Sequence, residues 1–275
     1  MTLLQSTSRE SMAAVLAQTD RYIAAPDAQL VATSEQLADV ALALHGQPRL
    51  RRLLADPATD PAQRAGLLER VLDGKIGYAA MTLATAVVRQ RWSSPGDLFA
   101  GLSGVAERLL FGAAEQQGTL DEVEDELFRF SRILSSEPEL ATLLDDQSVP
   151  LARRAQLLTS VVGGRVSVVT ERLLSSALAT QTATGVTARV ENLVSAAASM
   201  QQRSNALVRS AVALSEAQES RLAAALSAIY GRQIAVRTQV DPSVLGGLLI
   251  RVGDEMIDGS VASRLAAARS ALADS

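Results

Sequence analysis

Residues 48–74 read PRLRRLLADPATDPAQRAGLLERVLDG, and residues 138–164 read PELATLLDDQSVPLARRAQLLTSVVGG. Laid over each other at an offset of 90 residues, without a gap, they agree at Pro48/Pro138, Leu50/Leu140, Leu53/Leu143, Leu54/Leu144 and Asp56/Asp146. The agreement continues through Ala62/Ala152, Arg64/Arg154, Ala65/Ala155, Leu67/Leu157, Leu68/Leu158, Val71/Val161 and Gly74/Gly164. Helical periodicity alone would align leucines. It would not align a proline and a glycine, which mark the ends of elements and not their faces. The chain carries an internal duplication, and that duplication sets the fold.

Upstream of each stretch, Leu37, Val40, Ala41 and Leu44 fall at i, i+3, i+4 and i+7, the stripe of an amphipathic helix, and Leu127, Phe130, Ser131 and Leu134 repeat it. Pro48 and Pro138 then break the chain, and each is followed by a short helix carrying Leu53-Leu54 or Leu143-Leu144. The next helices are expected at Pro61–Leu72 and Leu151–Val162, each closed by a glycine, Gly74 or Gly164. Two more helices follow in each copy, the last beginning near Ser94-Pro95-Gly96-Asp97 and near Thr184. In the first copy that last helix runs on through Leu98, Leu102, Val105 and Leu109 into the second copy.

After about Asn205 the period shortens from 3.6 to 2. Val208, Ser210, Val212 and Leu214 alternate with Leu207, Arg209, Ala211 and Ala213 as a strand. Ser215-Glu216-Ala217-Gln218 is a capping box, and the helix it opens carries Leu222, Leu226, Ile229 and Tyr230 before Gly231. Ile234, Val236, Thr238 and Val240 form a second strand closed by Asp241-Pro242, and Leu248, Ile250 and Val252 a third. Gly253-Asp254 and Asp258-Gly259 are expected to bound a tight loop. Asp258 or Ser260 then caps a final helix with Val261, Leu265, Ala268 and Leu272 facing inward. The expected architecture is mainly α with a small α+β C-terminal domain: two tandem helical bundles, residues 1–97 and 98–205, followed by a βαββα unit, residues 206–275. The last unit is small enough to lean on a partner surface.

Composition excludes most chemistry. Of 275 residues, 48% are hydrophobic and 20% charged, which describes a folded protein, and only 3% are aromatic, which favours helix over a β-sandwich. There is no cysteine, so disulfides, thiolate nucleophiles and zinc–thiolate sites are absent. His45 is the single histidine and has no visible catalytic partner. Lys75 is the single lysine; it reads Gly74-Lys75-Ile76, with no glycine at position 69 to open a phosphate-binding loop. A net charge of −4 argues against a nucleic-acid partner. The uncharged stretch near Ala79–Val88 is too short for a direct membrane span. Residues 1–20 lack the basic start and apolar core of a secretory leader, and Glu10 and Asp20 interrupt an organellar pattern.

Two acidic groups remain as conceivable oxygen ligands for Mg²⁺, Asp145-Asp146 and Asp254, Glu255 and Asp258. The first reads more simply as a polar stop after Leu144, the second as turn and cap chemistry. Gly246-Gly247 is a potential phosphate nest, or more simply a bulge entering the third strand. Trp92 stands alone and not in a stacking platform for bases. The surviving signal is architectural: helical bundles whose grooves suit partner helices, plus a small partner-dependent domain. A generic helical adaptor is one reading of that signal, although it leaves the last 70 residues unexplained.

The stretch 240–260, VDPSVLGGLLIRVGDEMIDGS, followed by Arg264-Leu265, resembles the signature of the δ subunit of F-type ATP synthase, whose mitochondrial relative is the oligomycin-sensitivity-conferring protein. The residues that carry it are Asp241, Gly246, Gly247, Arg251, Gly253, Asp258, Gly259, Ser260 and Arg264. Upstream, Arg108-Leu109-Leu110-Phe111-Gly112-Ala113-Ala114 resembles that family's first helix, so the likeness covers about residues 100–275.

The resemblance implies a non-catalytic stator subunit without a cofactor, present once per synthase, peripheral to the membrane on its cytoplasmic face. Its helical domain would take N-terminal helices of the α subunits on the catalytic head, and its C-terminal domain would join the end of the b subunit. The head would then stay still while proton flow turns the rotor. The family's common form has one helical domain, so the copy at residues 1–97 is extra. The second copy, contiguous with the signature, is the better candidate for gripping α.

Overall fold

In the computed structural model the described residues are 6–25, 27–180, 185–230, 234–241, 244, 246–252 and 255–259, with backbone alone for 202–205. They fall into two compact units, Met1–Ser195 and Ala196–Ser275.

The first unit is helical and built on the duplication. Its helices are α1 (Ser6–Ile23), α2 (Leu30–His45), α3 (Pro48–Ala55), α4 (Pro61–Leu72), α5 (Tyr78–Arg89) and α6 (Pro95–Gln117). There follow α7 (Leu120–Ser136), α8 (Pro138–Asp145), α9 (Leu151–Val162), α10 (Val168–Ala179) and α11 (Gly185–Ser204), within which the boundary between the two units falls. The 90-residue offset maps α1 through α5 onto α6 through α10 and α6 onto α11. One helix, α6, thus closes the first repeat and opens the second without a break. The expected boundary at 97/98 falls inside its first turn.

The same sequence positions do the same work in both copies. Pro48, Pro61 and Pro138 each start a helix, where a missing N–H costs nothing. Gly74 and Gly164 adopt φ of 67° and 69° after α4 and α9, a left-handed conformation that favours glycine. Leu37/Leu127, Leu54/Leu144, Leu68/Leu158 and Leu83/Leu173 are all buried. Arg64 and Arg154, also buried, donate to the carbonyls of Leu54 and Leu144 at 3.2 and 3.0 Å. Gln36 Oε1 accepts the Gly77 N–H at 2.7 Å, and Glu126 Oε1 accepts the Ser167 N–H at 2.8 Å, so each copy ties its second helix to the start of its fifth.

Helix α1 carries a weak apolar stripe because its buried face includes Ser8, Ser11 and Thr19 beside Val15 and Ile23. Those hydroxyls are satisfied: Ser8 donates to Asp97 at 2.7 Å, Ser11 to the Arg91 carbonyl at 2.6 Å and Thr19 to the Val15 carbonyl at 2.9 Å. Its closeness to α6 depends on Gly112, where a Cβ would stand 2.7 Å from Ile23 Cδ1. The two copies meet where α10 approaches α2, with Arg172 paired to Glu35 and Arg189 of α11 paired to Glu107 of α6.

The second unit holds β1 (Asn205–Ser210), α12 (Glu216–Tyr230), β2 (Ala235–Val240), β3 (Leu248–Val252) and β4 (Glu255–Asp258). The strands lie in the order β2-β1-β3-β4, with β1 and β2 parallel and the other pairs antiparallel. Helix α12 makes the crossover between the parallel strands. Its capping box forms as expected: the Ser215 N–H donates to Gln218 Oε1 at 2.9 Å, and the Gln218 N–H to Ser215 Oγ at 3.4 Å. Leu226 packs on Ala206, Val208, Ile234, Ile250 and Val252.

Two local expectations are corrected. Alternation places residues 211–214 in the first strand, but β1 ends at Ser210, whose hydroxyl turns to the Val212 carbonyl at 2.6 Å. The sequence places residues 255–258 in a loop, and they instead form β4, with Met256 opposite Arg251 and Ile257 opposite Ile250. The final helix, with Val261, Leu265, Ala268 and Leu272, lies outside the described residues.

Candidate partner-binding surfaces

The polar residues that suggested chemistry are occupied by structural work. His45 ends α2, its Nδ1 lying 3.3 Å from Arg51 Nη1 and its ring 5.1 Å from that of Phe99. Asp146 Oδ1 accepts from the Ser148 N–H at 2.9 Å, closing a turn, while Asp145 Oδ1 accepts the Val186 N–H at 2.7 Å at the start of α11. Glu255 accepts from Tyr230 at 2.8 Å, fastening β4 to the end of α12, and Asp254 lies outside the described residues. Trp92 is buried, its indole N–H donated to the Val87 carbonyl at 2.8 Å. No group of three or more possible metal ligands occurs among the described residues.

Exposed apolar side chains point instead to surfaces. Leu53 and Leu143, equivalent in the two copies, are 56% and 54% exposed. The neighbouring Leu54 and Leu144 are fully buried, so each short helix turns one leucine inward and one out. Tyr78 and Val168, at the equivalent first positions of α5 and α10, are exposed as well. The second copy adds Phe128 and Ile133 on α7, where the first has Ala38 and Ala43. Large apolar side chains left exposed on helix surfaces are candidate partner contacts. Sequence reading missed these residues, because an apolar stripe does not say which of its edge members stays outside.

In the second unit, Asp241 follows β2, its N–H donated to the Ser210 carbonyl at 2.8 Å. Gly246 and Gly247 take φ of 104° and 83° just ahead of β3, which explains the pair by backbone conformation. Gly259 closes the β3–β4 hairpin with its N–H on the Leu248 carbonyl at 2.9 Å. Arg251 stands exposed on the sheet face opposite α12, where register sets it across from Leu207 on one side and Met256 on the other. The next row places Arg209 opposite Leu249 and Leu249 opposite Asp258, giving a checkerboard of arginine and apolar side chains. The structure thus draws Asp241, Gly246, Gly247, Asp258 and Gly259 to strand ends and sets Arg251 on an open face. Gly253, Ser260 and Arg264 lie outside the described residues.

Comparison with known proteins agrees with this architecture. Residues 108–272 match the family model described as ATP synthase delta (OSCP) subunit. The chain is 41% identical over 269 residues to the ATP synthase subunit delta of Salinispora arenicola, covering 98% of both chains. It is 40% identical over 277 residues to that of Parafrankia, covering 98% of this chain and 99% of the relative. For Corynebacterium diphtheriae the figures are 40% over 274 residues, 98% and 100%. The family model begins inside α6 and leaves the first copy unmatched, whereas these relatives align through both copies. From the shared signature strands to the shared opening helix, this chain belongs to the ATP synthase delta (OSCP) subunit family.

Proposed function

We propose that this protein is the stator linker of an ATP synthase: the second helical copy, residues 98–205, takes N-terminal helices of the α subunits, and the small domain, residues 206–275, joins the end of the b subunit. As a member of its family the chain is a non-catalytic structural component of the synthase's peripheral stalk. The observation that supports the assignment of the second copy is its larger exposed apolar surface, in which Phe128, Ile133, Leu143 and Val168 stand against Leu53 and Tyr78 in the first. An amphipathic helix that covers such side chains buries its own stripe and gains about 25 cal/mol for each Å² of apolar surface removed from water. The exposed sheet face bearing Arg251 is the corresponding offer of the small domain.

The mechanism is mechanical. Rotor torque acts equally and oppositely on the head, and a linker that binds head and stalk together stops the head from spinning with the rotor. No helix among the described residues is long and apolar enough to cross a membrane, and attachment to the cytoplasmic face runs through partners. Titrating full-length protein with an α-subunit N-terminal peptide should release heat, with affinity changing little with salt because the contact is apolar. Phe128→Asp with Leu143→Asp should abolish it while the melting temperature holds. Absence of binding, together with undiminished proton-driven ATP synthesis in membranes lacking the protein, would refute the proposal.

A further inference from the structure

The two copies hold the same exposed leucine in opposite electrical surroundings. In α3 the positions around Leu53 are Arg49, Arg51 and Arg52; in α8 those around Leu143 are Glu139, Ala141 and Thr142. Arg49 and Arg52 are exposed, and Arg49 lies four residues before Leu53, so cation and apolar knob share one helical face. Neither arginine forms an ion pair among the described residues, although other exposed arginines such as Arg129 do. They border a groove of about 570 Å³ that runs between α3 and the loop bearing Trp92. The single carboxylate on its lining, Asp56, is turned into its own loop, accepting from the Ala58 N–H at 3.0 Å and the Thr59 hydroxyl at 2.9 Å. Two guanidinium groups without a carboxylate partner among the described residues thus flank an exposed leucine on a protein whose net charge is −4.

We infer that this face of the first copy is a docking site for an acidic amphipathic helix of a partner protein, selected by charge against the partner of the second copy. The apolar side of the incoming helix covers Leu53, and its carboxylates meet Arg49 and Arg52. Guanidinium forks bind carboxylates bidentately, so the site reads charge and geometry together. The duplication has kept the knob and changed its rim, so the two copies take different helices. This concerns the first copy alone and stands whether or not the second grips an α subunit.

The test uses the full chain and two synthetic helical peptides with identical leucine stripes, one with glutamate and one with lysine on the polar face, followed by fluorescence anisotropy. The glutamate peptide should bind and the lysine peptide should not. Raising the salt should weaken binding, and Arg49→Glu with Arg52→Glu should weaken it about tenfold or more. Arg21→Glu with Arg70→Glu, exposed arginines that do not line the groove, should leave it unchanged. Both arginines are exposed, so circular dichroism should show the fold intact in the charge-reversed protein. Equal binding of the two peptides, or binding unaffected by charge reversal, overturns the inference. Binding to phosphatidylglycerol vesicles that depends on both arginines, without peptide binding, overturns it as well.

Discussion

Arg64 Nη1 donates to the carbonyl oxygen of Leu54 across a distance of 3.2 Å, from a side chain only 1% exposed. The same guanidinium reaches the carbonyl of Gln90 at 3.0 Å, joining the end of α3 to the end of α5 through α4. Burial pulls its pKa below the ordinary value, with Asp56 partly offsetting that, yet an arginine stays protonated throughout the working range. Arg64→Met keeps the bulk and strands these acceptors, so unfolding in urea should show a loss of about 3 kcal/mol. Arg154→Met should act in the same direction. A change within about 0.5 kcal/mol for both would show that the arginines only fill space.

Two glycines in helix interiors should respond oppositely to alanine. Gly66 in α4 has no neighbouring atom within 4 Å of the point where a methyl carbon would stand, so Gly66→Ala removes backbone freedom from the unfolded chain and stabilises by about 0.5–1 kcal/mol. At Gly101 in α6 a Cβ would stand 2.5 Å from the buried Trp92 ring. Gly101→Ala should cost about 2 kcal/mol or more, because the buried ring, held by its N–H on the Val87 carbonyl, would have to shift. Thermal melts of the two variants check the signs.

Acid sensitivity should concentrate in the duplicated turns. The Ala58 N–H and then the Thr59 hydroxyl hold the Asp56 carboxyl below its ordinary pKa; for Asp146 the Ser148 hydroxyl and N–H do the same. A carboxylate whose folded pKa is depressed adds stability above its unfolded pKa and loses it as pH falls through the folded one. Urea midpoints should therefore drop as pH falls from the ordinary carboxylate value through the lowered range. Asp56→Ala with Asp146→Ala should flatten that limb and lower the plateau above it.

Glu124 carries the opposite sign. Desolvation, and then the like charges of Asp121 and Asp125, raise its pKa. A raised carboxylate is harmless below its unfolded pKa and destabilises as pH climbs through the folded one. Glu124→Gln should therefore raise the urea midpoint at pH 7, and the gain should vanish in acid. A gain that persists at low pH would assign the effect to something other than charge.

The fold was legible where punctuation was strong. Helices α4 and α9 begin and end where the sequence places them, because proline or a turn opens them and a left-handed glycine follows. Helix α1 hid because serine and threonine occupy its buried face, the serines satisfied on α6 and the preceding loop and Thr19 on the Val15 carbonyl of its own helix. Strand β4 hid because Glu255, Met256, Ile257 and Asp258 are all exposed, so no alternation betrays them. The outward leucines were invisible for a different reason: Leu53 and Leu54 are chemically alike, and only the packing of α3 against α4 and α6 distinguishes them.

Helix α6 spans 23 residues, about 35 Å at 1.5 Å per residue. Because both copies share it as a common rib, no joint intervenes along that length. Bending one copy away from the other along this rib would require stretching a continuous ladder of peptide hydrogen bonds, which makes the shared helix a stiff connection between the two lobes.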